Sequence, residues 1–591
     1  MCLRSLGAVA VSTVAASFTI SAPVAAAPIA HPAVVAPAAA QQLVTFPVHL
    51  PLRNEQQLEA LVASQSDSRS PLYHHFLTPA QFRAAYGPTQ AQIDSVVTTL
   101  RAAGFTIRSI GTQEIQVQGT VSLVERNFGT RLVVTRSATG HLGTASLTPL
   151  RLPRSLAMLG ASIPAFSPVS HHRVHATRVT GPMPLNRYSP IGGYWFDDLK
   201  QAYSYPSFQT VNGAGRTIAV LMASNFENAD IAAYFAHELL PTPKLARRVV
   251  DGGAPFDPNS GASLEVELDI EQSGGMAPGA TIIDYNIPDL SDASIFDGYA
   301  AIIDDNVADI VNSSFGGCEL FYTKAYNGGV DYTYILQDFH DLFLQGNAQG
   351  ITFVASAGDN GALGCTNVEG TRFTLGVENP ADDPNVTGVG GTNLVTTFTP
   401  KSLTSKYVSE NAYPDPLDPA QVGAAGGVWG SGGGKSVIFR IPPYQHLVNT
   451  GDARDRTIPD VALHMGGCPL IALQPCGANR SYDIEAFAGA FYGVIGTSAS
   501  SPDFAGLLAL KEQVLGGARM GNENWDIYQL AALNPSSPFK FFRPWIQGNN
   551  GFYKTKVGYN YVLGNGTVIG KNFALLPNDP GAGNPQTPTN P

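Results

Sequence analysis

The stretch ITFVASAGDNG at residues 351–361 decides the fold, because a short β-rich run ends there in a Gly-Asp-Asn-Gly turn. Similar apolar runs lie at residues 217–222, 281–285, 310–314 and 386–389, with helical stretches between several of them. Strands that alternate with helices favour a parallel sheet covered on both faces. The sequence therefore predicts an α/β fold with functional side chains just beyond the carboxyl ends of the strands.

The composition excludes several classes of protein. Of the 591 residues, 44% are hydrophobic and 14% are charged, against roughly 25% charged in an average soluble domain. Lys and Arg number 35 and Asp and Glu 46, so the net charge is −11. An acidic chain lacks the basic surplus that neutralises phosphates, and we expect no nucleic-acid partner. The apolar content excludes disorder for most of the chain, and the length predicts two or more domains.

Residues 1–27 are predicted to be a secretory signal peptide. Arg4 is the only early charge, residues 6–20 are mostly apolar, and the alanines at 25–27 form a small-residue cleavage pattern. A membrane anchor is the alternative, but the apolar run is shorter than the roughly 20 residues that a spanning helix needs. We expect a secreted, extracellular protein with no membrane partner.

Cysteine usage agrees with export. Once Cys2 leaves with the signal peptide, an even number of cysteines remains, which indicates two disulfides. Cys468 and Cys476 are close in sequence with turn-forming prolines between them, so we expect them to pair and to leave Cys318 with Cys365. Zinc binding is the alternative, but the chain has no Cys-x-x-Cys motif or paired-histidine spacing to support it.

The chain divides into four parts after the signal peptide. Residues 43–165 are predicted to form a small α/β domain, because alternating and helical apolar patterns follow one another there. Residues 166–187 are rich in basic side chains without apolar periodicity, which predicts a surface linker and a cleavage region. Residues 188–576 form the large α/β body, and residues 577–591, rich in Pro, Asn and Gly, are predicted to be a disordered tail.

Ser498 is a candidate nucleophile. It lies in GTSASSP at residues 496–502, ahead of an apolar run. A turn of small residues that leads into a helix exposes a hydroxyl at the helix N-terminus, where backbone N–H groups can hold an oxyanion. An ordinary helix N-cap is the commoner meaning of such a sequence. No histidine after the linker lies in a motif typical of a catalytic base, so we expect another base.

Carboxyl groups are the candidates for that base. In SLEVELDIE at residues 263–271, Glu265 and Asp269 share one face of a helix and raise each other's pKa. Glu267 and Glu271 form a second pair with the same spacing, and a solvated acidic face is the alternative for both. Asp359, in the turn after residues 351–356, is either a functional carboxyl at a strand end or an Asx-turn residue.

Together these motifs resemble the sedolisins, or serine-carboxyl peptidases, over nearly all of the chain after the signal peptide. The matching segments are SPLYHHFLTP at 70–79, EVELD at 265–269, SSFGG at 313–317, AGD at 357–359, VTGVGGT at 386–392, SGGG at 431–434, PDV at 459–461 and GTSA at 496–499. The resemblance implies a subtilisin-like catalytic domain, with a mostly parallel sheet covered by helices, preceded by a small α+β, ferredoxin-like prodomain.

The resemblance also implies a role for each site residue. Ser498 is the nucleophile, Glu265 the general base and Asp269 the acid that orients Glu265. The choice of Glu265 over Glu267 rests on the resemblance alone. Asp359 falls at the oxyanion position and must be protonated to donate a hydrogen bond there. The residues implied to line the pocket for the residue before the scissile bond are Ser313, Ser314, Phe315 and Gly316.

The implied function is that of a secreted acid endopeptidase, made as a monomeric, self-processing zymogen that takes protein or peptide substrates and is inhibited by its own propeptide. Glu265 must be partly ionised while Asp359 stays protonated, so we expect a bell-shaped activity profile with a maximum at roughly pH 3–5. The alternatives are a catalytically silent binding protein on the same fold and an acid glycosidase with paired carboxylates.

The chain departs from the family pattern in two places. Met222 stands where many members have a second glutamate, and Phe315 replaces a frequent tryptophan, so desolvation is expected to raise the pKa of Glu265. The family's calcium site corresponds to Pro544, Trp545, Lys556, Gly558 and Asn560. Both aspartate ligands are missing and a lysine is present, so we expect no tight calcium binding, and the chemistry requires no cofactor.

Overall fold

The computed structural model describes residues 33–136, 142–169, 172–179, 193–365, 374–399, 404–422, 427–477, 479–543 and 545–575. The predicted signal peptide and C-terminal tail lie outside the described residues, as does part of the predicted linker. No helix in the described ranges is long and apolar enough to cross a membrane.

The N-terminal part folds around an antiparallel sheet whose middle strand is Glu114–Thr120, between Leu43–His49 and Thr106–Ile110. Thr78 and Thr89 begin two of its helices with capping boxes, as their hydroxyl chemistry predicts. Its helices are Glu55–Ser66, Pro79–Ala85, Gln90–Ala102, Val121–Phe128 and Arg154–Ala157. A second small sheet consists of Ala33–Pro37, Leu132–Arg136 and Leu142–Ser146.

The large body is built on seven parallel strands, numbered here in chain order. They are β1 Thr217–Met222, β2 Lys244–Val249, β3 Thr281–Asn286, β4 Ile310–Ser313, β5 Thr352–Ser356, β6 Val386–Thr399 and β7 Val461–His464. Their spatial order is β2-β3-β1-β4-β5-β6-β7, and each neighbouring pair is parallel. The α/β prediction with a mostly parallel sheet is therefore confirmed.

Four long helices cover this sheet in two packed pairs. They are α1 Gly261–Met276, α2 Asp292–Asp305, α3 Thr333–Ala348 and α4 Thr497–Val514, and α1 packs on α4 and α2 on α3. The N-terminal part contacts the second pair: Thr112 donates to Asp304 over 2.6 Å, and Gln113 donates to Gln345 over 2.7 Å. The N-terminal part thus docks on the helices of the body.

Shorter elements complete the body. The remaining helices are Phe196–Ala202, Asn228–His237, Pro419–Val422, Asn524–Leu533 and Gly570–Leu575, with 3-10 turns at Glu319–Tyr322 and Pro443–Leu447. The remaining strands are Arg173–Val174, Thr177–Val179, Phe315–Cys318, Glu378–Asn379, Thr404–Ala412, Asp415–Pro416, Val428–Trp429, Gly434–Arg440, Asp455–Ile458, Asp483–Phe487, Ala490–Ile495, Phe542–Arg543, Gln547–Gly548 and Thr567–Val568.

Helix α1 is buried on all sides, which explains its unusual sequence. With 3.6 residues per turn, its residues form four stripes. The stripes are Leu264 with Leu268, Glu265 with Asp269, Val266 with Ile270, and Glu267 with Glu271. The valine stripe enters the main core and the leucine stripe enters a satellite cluster, so the two carboxyl stripes are enclosed as well.

Two disulfides form, and both predicted pairings are confirmed. Cys318 is bonded to Cys365 and Cys468 to Cys476. The first bridge joins the strand Phe315–Cys318 to the segment after β5. It therefore ties together two parts of the chain that reach the carboxyl edge of the sheet.

Candidate active site

The predicted linker runs through a cleft at the carboxyl edge of the sheet. Arg173–Val174 pairs antiparallel with Phe315–Cys318, and Thr177–Val179 pairs antiparallel with Ala490–Ile495. Between these ladders the amide of His175 donates to the carbonyl oxygen of Ser314 over 3.2 Å. The prediction of a surface linker was wrong for these residues, because backbone pairing, which leaves no side-chain periodicity, holds them in the cleft.

Ser498 is the second residue of α4 and lies beside this segment. Its Oγ donates to the carbonyl oxygen of Ser314 over 3.4 Å, the same oxygen that accepts from His175. Gly496 precedes the helix with φ +146°, where a Cβ would lie 1.9 Å from the carbonyl oxygen of His175 and 2.9 Å from Asp359 Oδ2. Only glycine lets these two oxygens face the same point next to the serine.

Glu265 and Asp269 meet the segment from the other side. Glu265 Oε2 accepts a hydrogen bond from the amide of Ala176 over 2.8 Å. Burial and the adjacent Asp269 raise the pKa of Glu265 well above its usual value, while hydrogen bonds from Ser498 and Ala176 oppose the rise. Asp269 Oδ1 accepts from Ser314 Oγ over 2.6 Å, and burial raises its pKa too.

The second acidic pair of α1 faces away from the serine. Glu267 accepts from the amide of Glu227 over 2.6 Å, and Glu271 accepts from the amide of Ala486 over 3.1 Å. The sequence spacing is the same in both pairs and does not distinguish them, whereas the packing of α1 does. Only Glu265 and Asp269 contact the cleft that contains Ser498.

Asp359 follows β5, as the strand-end prediction expects. Its Oδ1 accepts from the amide and the hydroxyl of Thr497 over 2.7 and 2.8 Å. Burial raises the pKa of Asp359 to about 6, although His175 and Thr497 oppose the rise. Below that pH the carboxyl group carries a proton, and its second oxygen can donate a hydrogen bond toward the His175 carbonyl.

A closed pocket holds the side chain of His175, which sequence reasoning missed. His175 Nδ1 lies 2.6 Å from Ser356 Oγ, and Nε2 lies 2.7 Å from Glu378 Oε2. Arg173 donates to the other oxygen of Glu378 over 2.8 Å. Burial would raise the pKa of Glu378, but Arg173 and His175 lower it to about 2. The only sequence signal was the basic character of the linker.

The predicted pocket residues do not all reach the linker. Ser314, Phe315 and Gly316 supply the backbone that pairs with it. The Ser313 hydroxyl instead lies 2.7 Å from the hydroxyl of Tyr299, on the helix side of β4. Met222 and Phe315 are fully buried and add no polar group, in line with the desolvation expected for Glu265.

The positions that correspond to a calcium site do not fit a calcium ion. The Asn560 side chain donates from Nδ2 to the carbonyl oxygens of Lys556 and Gly558, over 3.4 and 3.2 Å. Its Oδ1 accepts from the amides of Val562 and Leu563. The Asn560 amide thus occupies the carbonyl oxygens of Lys556 and Gly558, which a cation would need. Unlike an aspartate at this position, it carries no negative charge to attract calcium. Trp545 is 59% exposed, and Pro544 lies outside the described residues.

Known proteins match both the N-terminal part and the large body of this chain. The profile of the pro-kumamolisin activation domain matches residues 31–163, and that of the subtilase family matches residues 252–524. Sedolisin from Pseudomonas sp. (strain 101) is 28% identical over 90% of this chain and 86% of its own. Kumamolisin from Bacillus sp. (strain MN-32) is 28% identical over 92% and 93%. Tripeptidyl-peptidase 1 from Rattus norvegicus is 26% identical over 91% and 89%.

The fold also matches that of a solved structure. It is Pseudomonas sedolisin, a serine-carboxyl proteinase complexed with two molecules of pseudo-iodotyrostatin, with a TM-score of 0.53 and 24% identity over 65% of this chain and 97% of that one. Fold and matches together define a subtilisin-like serine-type peptidase with its own activation domain. The chain belongs to the sedolisin family of serine-carboxyl peptidases.

The buried carboxyl groups predict greater stability in acid. Burial raises the pKa of Glu485 well above its usual value, and neighbouring Glu267 and Glu265 raise it further. A carboxyl group whose pKa is raised in the folded protein contributes its full stabilisation below its unfolded pKa near 4. This contribution to the free energy of unfolding is lost as the pH rises through the folded pKa. Unfolding in urea of full-length Ser498→Ala should therefore require more free energy at about pH 4 than at about pH 8.

Glu485→Gln in the same background removes one of these groups. We expect it to reduce the difference in unfolding free energy between the two pH values, because a glutamine side chain has no proton to lose as the pH rises. Glu59→Gln, at an exposed position, is the matched control and should leave the difference unchanged. Equal stability at both pH values in the parent would contradict the prediction.

Proposed function

We propose that this chain is a secreted, acid-active serine endopeptidase that cuts itself between His175 and Ala176. One observation carries the proposal: the linker lies in the cleft as a substrate would. Ser498 lies beside the main chain of His175, the His175 carbonyl faces the same point as Asp359, and the amide of Ala176 bonds to Glu265. Nucleophile, base, oxyanion donor and leaving amine are thus all adjacent to one peptide bond.

In the first half of the reaction, Ser498 Oγ attacks the carbonyl carbon of His175 and Glu265 accepts the hydroxyl proton. The carbonyl oxygen becomes an oxyanion, to which protonated Asp359 and the amide of Ser498 donate hydrogen bonds. Glu265 then returns the proton to the nitrogen of Ala176, with which it already forms a hydrogen bond, and the peptide bond breaks. The products are an acyl-enzyme on Ser498 and a free amine.

In the second half, a water molecule takes the place of the amine. Glu265 accepts a proton from the water as its oxygen attacks the acyl carbon, and returns a proton to Ser498 Oγ when the ester breaks. Asp269 acts through Glu265: its adjacent carboxyl raises the pKa of Glu265 and so its affinity for the proton it accepts. Ser314 Oγ donates to Asp269 and keeps it in place.

The same arrangement inhibits the enzyme before it is cut. The segment 172–179 fills the cleft, and the prodomain that precedes it docks on α2 and α3. Cleavage after His175 separates the prodomain from the body and opens the cleft to other chains. The signal-peptide pattern supports secretion, and the monomeric state remains a prediction from the family resemblance.

Acidification of the purified full-length protein tests the proposal. The wild type should convert from the precursor to a shorter form at about pH 4, and N-terminal sequencing of the body should begin at Ala176. Ser498→Ala should remain intact under the same conditions, and it should also fail to cleave an added unfolded protein. Conversion of Ser498→Ala at the wild-type rate would contradict the proposal, as would a stable wild-type precursor that never cleaves peptides.

The role of Asp359 predicts a particular change in the pH profile. Asp359→Asn keeps a hydrogen-bond donor that does not titrate, so the loss of kcat/KM near pH 6 should move to higher pH by about one unit or more. Asp359→Ala, which removes the donor, should lower kcat by about 100- to 1,000-fold at the optimum. An unchanged alkaline limb in Asp359→Asn would show that another group controls it.

We further propose that stability does not depend on calcium, because the Asn560 amide closes the loop that a cation holds in the family pattern. A bound ion at a hundredfold its dissociation constant would add about 2.7 kcal/mol, so the thermal midpoint would rise by several degrees. The midpoint of Ser498→Ala should instead be the same with calcium and with chelator.

Asn560→Asp is the informative companion variant. It replaces the amide donor by a carboxylate that faces the carbonyl oxygens of Lys556 and Gly558, so we expect a lower thermal midpoint in chelator. Added calcium should recover part of the loss, because the variant restores the charge that a hard cation needs. A calcium-dependent midpoint in the parent protein would overturn the proposal.

A further inference from the structure

Glu378 is a buried acidic residue whose basic partners, Arg173 and His175, both belong to the linker. It is 1% exposed, and its two oxygens accept from Arg173 and from His175. If the chain is cut after His175, both partners leave with the prodomain. A carboxylate at such a depth is costly without a cation or hydrogen-bond donors, so the processed enzyme retains a pocket that needs a basic group.

The pocket has the depth of an imidazole ring. Ser356 Oγ and Glu378 Oε2 contact the two ring nitrogens of His175, at 2.6 and 2.7 Å. A protonated imidazole donates from both nitrogens, and both of these partners can accept. The ring is enclosed, so the side chain before the scissile bond reaches Glu378 Oε2 only by entering the same space.

Glycines form the walls of this space. A Cβ on Gly316 would lie 2.7 Å from Cε1 of the ring, and one on Gly358 would lie 2.9 Å from Glu378 Oε1. The backbone therefore closes on a flat ring and on the carboxylate behind it. A longer lysine or arginine side chain would reach Glu378 before it is fully extended. A leucine would leave Ser356 Oγ and the inner oxygen of Glu378, Oε2, without a donor.

On the basis of the proposed peptidase function, we propose that the mature enzyme selects substrates with histidine immediately before the scissile bond, through Ser356 and Glu378. A basic residue two positions earlier adds to the selection, because Arg173 binds the outer oxygen of Glu378 from that position. A site built to accept hydrogen bonds discriminates strongly against side chains that cannot donate them, since its own buried groups then remain unpaired.

The test uses the self-processed wild-type enzyme and synthetic peptides that carry the linker sequence Arg-Val-His-Ala. The histidine is replaced by leucine, phenylalanine, lysine or arginine, and kcat/KM is measured at about pH 4, where imidazole is protonated. We expect the histidine peptide to be cleaved about 100-fold faster than the leucine or phenylalanine peptide, and faster than either longer basic peptide. Replacing the arginine by alanine should lower the histidine rate several-fold.

The variant Glu378→Gln tests whether Glu378 is the residue that selects histidine. This variant should lose about tenfold or more on the histidine peptide, while its rate on the leucine peptide stays equal to that of the wild type or rises, because leucine no longer leaves a buried charge unpaired. The leucine rate therefore serves as the control for folding and for the catalytic groups. If Glu378→Gln fails to process itself, the double variant Glu378→Gln/His175→Leu supplies a linker that matches the altered pocket, and should mature.

The outcomes separate this inference from the proposed function. A wild-type enzyme that cleaves the leucine peptide as fast as the histidine peptide is a peptidase without this selectivity, and the inference is then wrong. An equal loss on both peptides in Glu378→Gln would likewise overturn it, because the glutamate would then support the fold and not the choice of substrate. Cleavage of neither peptide by wild-type protein would overturn the proposed function, and this inference with it.

Discussion

The burial of three carboxyl groups around one serine is the constraint on which the rest of the structure depends. Glu265, Asp269 and Asp359 are nearly or fully enclosed, and burial is the largest cause of the raised pKa of each. Enclosed carboxyls keep their protons at a higher pH than exposed ones. Asp359 is a carboxylic acid donor only below its pKa of about 6, which connects the geometry to acidic surroundings.

The fold meets this constraint by placing polar groups where apolar packing surrounds them. Helix α1 alternates apolar and acidic stripes, so its acids become enclosed when the leucines and valines pack. The parallel strands bring Ser314 and Asp359 to one edge, and α4 begins there with Ser498. The chain's own linker then covers the site, which keeps water out and presents a peptide bond at the same time.

Sequence reasoning could predict what depends on local spacing. The shared face of Glu265 and Asp269 follows from helical geometry, and the place of Asp359 follows from the strand before it. The choice between two acidic pairs on α1 depends on which neighbour packs on each face, so spacing could not supply it. The strands at 173–174 and 177–179 exist only through pairing with distant segments, and Glu378 acts with residues about 200 positions away, as its separation of 203 from His175 shows. Neither leaves a local signal.

The most direct test is whether Asp359 carries a proton in the folded protein at acidic pH. Infrared spectra of the Ser498→Ala zymogen can be recorded from about pH 4 to pH 8, and the Asp359→Asn/Ser498→Ala spectra subtracted to isolate the carboxyl of this residue. We expect a protonated-acid carbonyl band that is present in acid and disappears with a midpoint near pH 6. A carboxylate that is already ionised at pH 4 would contradict it, because Asp359 could then not donate to the oxyanion.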